Sequence, residues 1–247
     1  MIDFLNRYIK KDNLLQDYEF TEWVHSSQAR KYANNFESVD YFIVYSIDKP
    51  KQKPWEYDEK PMLKIGCASG KGFGMADSSM SDKFRTKRRK GTTQPKDRLS
   101  DHLVIMEQGP YANQIRKNIG NLKAAWTPVF EKYGWGPKLM KNVWIAFGVP
   151  TSMPFRDSAL FCEFMELIAI NRHIVTFDGS APLADLKYQS MSDKERRSLI
   201  VNKDIEIKKR MTRISNDDSY LNKITNNTNN FRKEAADLSG FMIGKSI

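Results

Sequence analysis

At 247 residues, with 40% hydrophobic, 12% aromatic and 28% charged side chains, the chain is composed like a globular protein that buries one good core, or one core with helical appendages. No apolar run approaches the ~20 residues a bilayer span needs. The first residues lack the basic leader and apolar run of a signal peptide, so a cytoplasmic protein is expected. Forty Lys and Arg stand against 30 Asp and Glu, a formal charge of +10. That excess points to a polyanionic partner, most simply nucleic acid. A membrane surface is the competing partner, but the basic residues do not lie opposite a continuous apolar helix face, as an interfacial anchor requires.

Residues 1–37 read as a helical extension. Phe4, Leu5, Tyr8 and Ile9 share one helix face, and a second helix is expected over residues 20–32. Residues 41–47, dense in β-branched and aromatic side chains and stopped by Asp48-Lys49-Pro50, predict a buried strand. A polar loop over 51–61 leads to a second strand over 62–67, so the two form an antiparallel pair. Residues 68–97, rich in Gly, Ser, Lys and Arg, read as an exposed, mobile basic insertion. Asp97 is the expected cap of a helix that starts near Arg98 and carries Leu99, His102, Leu103 and Met106.

Further helices are predicted over 111–119 and 124–132, with a turn at 134–137. A third buried strand is expected over 143–149, followed by a helix over 159–172 capped by Asp157 or Ser158. Ser192 and Glu195 form a capping-box pattern that opens a basic helix. The stretch 215–230 reads as loosely ordered, with one short helix over 231–238. Cys67 and Cys162 lack metal-ligand spacing and read as reduced thiols. His25 and His173 read as structural histidines.

Four fragments carry chemistry by their order: Ile43-Val44-Tyr45, then Lys64-Ile65-Gly66, then Arg98 and His102 four apart on one helix face, then Ala159-Leu160-Phe161-Cys162-Glu163. This order resembles the GIY-YIG nuclease superfamily over roughly residues 38–178, in its restriction-endonuclease-like or phage-type branches. In that family a tyrosine closes the first motif, which points to Tyr45. The second motif usually begins with tyrosine; Lys64 stands there instead, as in some branches. Arg98 and His102 match the family's helix arginine and its histidine one turn on. Glu163 matches the glutamate on a late apolar helix, with Glu166 as its rival. The family's later asparagine has no counterpart near Val175, and Asn171 falls too early.

The resemblance implies an α/β (α+β) domain over 38–185, with a small, mainly antiparallel three-stranded sheet flanked by helices, and a basic helical region over 186–247. It further implies a metal-dependent DNA endonuclease hydrolysing phosphodiester bonds. Glu163 would hold one Mg²⁺ (or Mn²⁺) that keeps most of its waters. Arg98 would bind a phosphate oxygen through its planar fork. Tyr45 would position or deprotonate the attacking water, His102 would relay a proton, and Lys64 would orient the phenol. Lys87, Arg88, Arg89 and Lys90 of the insertion, and Arg196, Arg197, Lys208, Lys209 and Arg210 of the last helix, would grip the backbone of double-stranded DNA. A homodimer would supply the second cut of a double-strand break. The alternatives are a nucleic-acid-binding protein without catalysis on the same scaffold, and a ribonuclease.

Overall fold

The computed structural model describes residues 1, 3–6, 18–33, 38–57, 62–69, 95–112, 120–150 and 155–215. Five strands form one open antiparallel sheet: β1 (Tyr18–Phe20), β2 (Val24–His25), β3 (Ser38–Tyr45), β4 (Lys64–Ser69) and β5 (Val143–Pro150). The order is β1-β5-β3-β4, with β2 also pairing to β5. The helices are α1 (Ser26–Ala33), α2 (Pro95–Gln108), α3 (Gly120–Ala125), α4 (Thr127–Tyr133), α5 (Pro137–Met140), α6 (Phe155–Thr176), α7 (Leu186–Gln189) and α8 (Asp193–Ser215). The class is therefore mixed helix and strand, and among the described residues the sheet has five strands where the sequence suggested three.

Period-two alternation builds two cores. Val39, Tyr41 and Ile43 of β3, with Val143, Ile145 and Phe147 of β5, face a cluster that contains Leu99, Leu103 and Met106 of α2 and Ala29 and Ala33 of α1. Phe42 and Val44, with Ala146, face the other cluster, built on Phe161, Phe164, Met165 and Ile168 of α6. Those four α6 positions recur at i, i+3, i+4 and i+7, the apolar stripe of a sheet-covering helix. The result is a sheet between a layer holding α1 and α2 and a layer holding α6, against which α8 packs in turn.

The N-terminal segment departs from the helical expectation. Residues 3–6 are helical, but residues 18–20 and 24–25 are strands on β5, and of the expected helix over 20–32 the part from Ser26 is helix, as Ser26–Ala33. Pairing along β5 satisfies backbone groups that a lone helical pattern of marginal length would not outweigh. The expected helix over 124–132 is two short ones that meet at Trp126, where Pro128 starts the second. The turn over 134–137 stands as read, with Gly134 at φ 78° and Gly136 at φ 70°, a left-handed backbone natural to glycine. Residues 97, 157 and 158 lie inside longer helices, so they do not act as caps. The capping box at Ser192 is present: its N–H donates to Glu195 Oε2 at 2.7 Å, and Glu195 N–H donates back to Ser192 Oγ at 3.3 Å. Tyr8, Ile9, residues 113–119 and residues 216–247, with the short helix expected over 231–238, lie outside the described residues. Among the described residues no helix is long and apolar enough to cross a membrane.

Tyr18 reaches over β5 at Gly148 and donates a hydrogen bond to buried Asp40 on β3. A side chain at 148 would overlap the Tyr18 ring. Gly148→Ala is therefore expected to lower stability by about 1–3 kcal/mol, the usual cost of overpacking a core. Urea unfolding would check this, and adding Tyr18→Ala should reduce the penalty attributable to the new methyl.

Candidate functional site

The β3–β4 register sets Tyr41 opposite Gly66 and Ile43 opposite Lys64. Tyr41 lies across Gly66, where any Cβ would overlap the phenol. Beyond the glycine stands His102 of α2, fully buried. Tyr41 Oη lies 2.8 Å from His102 Nε2, and Trp126 Nε1 donates to His102 Nδ1 at 3.1 Å. With Nδ1 accepting from an indole N–H, the hydrogen-bond pattern assigns the ring proton to Nε2, which donates to the phenol oxygen. Two of the motif fragments, the Lys64-Ile65-Gly66 strand and the Arg98/His102 helix, thus meet at a hydrogen bond made by Tyr41, which lies on β3 outside the Ile43-Val44-Tyr45 fragment.

Tyr45 is elsewhere. It lies four residues further along β3, a rise of about 13 Å, half-buried against Tyr133 with ring centroids 4.2 Å apart and 19° between planes. Its hydroxyl accepts a hydrogen bond from Asn142 Nδ2 at 2.9 Å. The phenol beside the histidine and the glycine is Tyr41. The signal for choosing it was the register: paired strands align the residue that faces Gly66, not the one that ends the run.

Lys64 is buried and ion-paired to buried Asp185, whose other oxygen accepts the Ile65 N–H at 3.0 Å. Leu183 and Ala184 add backbone hydrogen bonds to Met62 and Leu63. The lysine therefore fastens residues 183–185 along the β4 edge, and does not orient Tyr45. Close by, Cys67 donates to Glu166 Oε2 at 3.1 Å. Burial raises the Glu166 carboxyl above the usual range, against the pull of Lys64. Burial likewise pushes Cys67, Cys162 and Asp40 upward, with neighbouring carboxylates adding to each rise. Both cysteines are free thiols, as expected.

Glu163 is not in apolar surroundings. Its side chain is 50% exposed on α6 and ion-paired with Lys203 of α8 at 2.7 Å. Because α6 covers the opposite face of the sheet from α2, Glu163 and Glu166 are on one side, and Tyr41, Tyr45 and His102 on the other. Arg98 sits in the first turn of α2, one helical turn before His102; its side chain lies outside the described residues. So do Lys87, Arg88, Arg89 and Lys90, with most of the basic insertion. On α8, Arg196 is buried and bonded to the Met191 carbonyl and Asp193, so it is not available to a backbone phosphate. Arg197 lies over the Phe4 ring at 5.5 Å, Lys208 pairs with Asp204 at 2.8 Å, Lys209 is exposed, and the helix continues through position 210. Asn171 donates to the Leu167 carbonyl of its own helix at 2.7 Å. His25 bonds Ser27 Oγ and the Lys141 carbonyl.

Among the described residues no group of three or more His, Cys, Asp or Glu could hold a metal ion. Glu163 offers one exposed carboxylate, which suits a hard cation that keeps its waters and would have to displace Lys203. Compared with known protein families, curated proteins and solved structures, the chain matches none. What the fold itself defines is an α+β protein with an open antiparallel sheet covered by helices on both faces.

His102→Leu removes the acceptor of the buried Trp126 N–H, at an expected cost of about 1–3 kcal/mol for that donor alone; Trp126→Phe in the same chain should recover part of it in a double-mutant cycle. His173 is buried, its Nε2 has no hydrogen-bond partner among the described residues, and burial holds its pKa down to about 4. The unfolded chain therefore binds the extra proton first, so this residue's contribution is complete above about pH 6.5 and is lost as pH falls towards 4, up to about 3 kcal/mol. Comparing urea midpoints of the parent and His173→Phe across that window should show the smaller loss in the variant.

Proposed function

We propose that the chain is a metal-dependent DNA endonuclease, restriction-type or phage-encoded, on a GIY-YIG-like core. The observation that carries this reading is the Tyr41–His102 hydrogen bond above Gly66. It joins the tyrosine strand, the Lys-Ile-Gly strand and the Arg98/His102 helix, pieces that the sequence related only by order. In this reading Tyr41 takes the phenol's role, and His102, whose Nε2–H donates to the phenol oxygen, holds the ring in place and would stabilise negative charge developing on that oxygen. Arg98 binds a non-bridging phosphate oxygen, as its fork geometry suits. Glu163 would hold the Mg²⁺ (or Mn²⁺), which when bound supplies charge neutralisation at the phosphate. The +10 charge favours the DNA partner, and dimerisation would pair two nicks into one break.

The burial of Tyr41 and His102, and the hold of Lys203 on Glu163, favour a second reading: a nucleic-acid-binding protein in which the same residues only support the core. Incubation with supercoiled plasmid separates the two. The first reading expects nicking that needs Mg²⁺ and stops with EDTA, at least a hundredfold slower in Glu163→Ala and in Tyr41→Phe, with DNA affinity within about threefold of the parent. Cleavage by Glu163→Ala at the parent rate would remove the assigned carboxylate. Binding without any Mg²⁺-dependent nicking would establish the second reading, and a preference for RNA substrates would point to a ribonuclease.

A further inference from the structure

On the sheet face away from α6, a groove of about 420 Å³ runs between α1, the end of α2 and α5. Leu103 and Met140 line it, with Arg30 and Lys141 exposed along it. Among the described residues neither cation has an ion-pair partner. The backbone that carries Lys141 is tied to the start of α1, the Lys141 carbonyl by His25 and the Met140 carbonyl by Ser26 Oγ, at 3.2 and 2.9 Å. The surrounding chain is biased the same way. Residues 120–150 carry Lys123, Lys132, Lys138 and Lys141 against the single Glu131, and α1 carries Arg30 and Lys31 with no acid. Glu107 is the one carboxylate on the groove.

Beside the groove stand two exposed aromatic rings, Trp135 at 42% and Tyr111 at 53% exposure. Their centroids are 5.8 Å apart, edge to face. Trp135 rests on Gly109, where a side chain would overlap its ring, and Gly136 N–H bonds the Met106 carbonyl at 2.8 Å. The indole is thus supported from below two residues before Pro137, which lines the groove. Cations without an ion-pair partner among the described residues, on a groove whose lining residues Glu107 and Pro137 lie two positions from Gly109 and Trp135, supply with that exposed ring the two halves of a single-strand site: one tracks phosphates, the other stacks a base. An acidic peptide would use the cations and leave the rings idle.

We propose that this groove binds a single strand of nucleic acid, with phosphates at Arg30 and Lys141 and an unpaired base on Trp135. This site is separate from the contacts considered for cleavage, and it stands whether or not the chain cuts.

The test is fluorescence anisotropy of a labelled oligo-dT of about 16 nucleotides, the upper end of common single-strand site sizes, titrated with the full-length protein in EDTA across a salt series. Arg30→Ala with Lys141→Ala should flatten the log–log salt dependence by roughly 1.4, from ~0.7 per lost single-strand phosphate. Trp135→Ala should weaken binding about five- to hundredfold without moving the salt slope, and an abasic oligomer should mimic that loss on the parent. Glu107→Gln should tighten binding. All four positions have exposed side chains, so unchanged circular dichroism is expected to accompany each effect. Unchanged slope and affinity in the double variant, equal binding of abasic and normal strands, or equal competition by polyglutamate would each overturn the proposal. A parent that binds oligo-dT through these residues yet never nicks plasmid would remove the nuclease reading and leave this site standing; the converse result would do the opposite.

Discussion

Strand β3 is hydrogen-bonded on both edges, to β4 and β5, and buried on both faces. Adjacent residues therefore deliver their side chains to opposite cores, and each polar one must find its partner there. Tyr41 goes to the α2 side and Asp40 to the α6 side. Each is accommodated by a glycine in a neighbouring strand. Gly66 of β4 lets the Tyr41 phenol pass to His102, and Gly148 of β5 lets the Tyr18 ring pass to Asp40. A slip of one residue would exchange the faces and strand both groups among apolar side chains. The two glycines and the register are one constraint expressed twice.

Asp40 shows how polar chemistry persists inside such a sheet. It is fully buried, with one oxygen accepting from Tyr18 and the other without a partner among the described residues. Burial raises its pKa, and the charges of Glu166 and Glu163 add to the rise. Stability drawn from such a group is complete at low pH and is lost as pH climbs through its folded value, the opposite sense to His173. Glu166, Cys67, Cys162 and Tyr188 are displaced in the same direction by the same causes. The α6 side of the sheet thus resists further negative charge, while Lys64 and Lys203 supply positive charge to Asp185 and Glu163. Any cation arriving near Glu163 competes with an ammonium already in place.

The strands and long helices were legible because their signals are local. The β-branched run at 41–47, the apolar run at 143–149, the i, i+4, i+7 pattern of Leu99, Leu103 and Met106, and the Ser192/Glu195 box each act within a few residues. The edge strands at 18–20 and 24–25 were not, since their only reason to be strands is β5, more than a hundred residues away. The site divided in the same way. His102 and Gly66 could be picked from spacing, but the matching phenol depends on strand register, and register is fixed by packing across the whole sheet. Tyr45 ends the hydrophobic run and so attracted the motif, whereas Tyr41 faces the glycine. The partners of Lys64 and Glu163 lie 121 and 40 residues away, beyond any local pattern. Glu163 also comes after four apolar residues, yet helical geometry turns it toward Lys203 of α8 and solvent.

For the proposed nuclease, the division of residues between the two faces sets where one phosphate would have to lie. Tyr41 and His102 belong to the α2 side and the α6 carboxylates to the other, with the sheet between them. Among the described residues the sheet ends at β1 on one side and β4 on the other, and the edge beside Tyr41 and His102 is β4. Residues 183–185 already cover its first part, up to the Ile65 N–H. The next residue is Gly66, the one position on the strand with no side chain to stand between the faces. The space over that glycine is filled by the Tyr41 ring, so a bulkier residue there would displace the phenol and break its bond to His102.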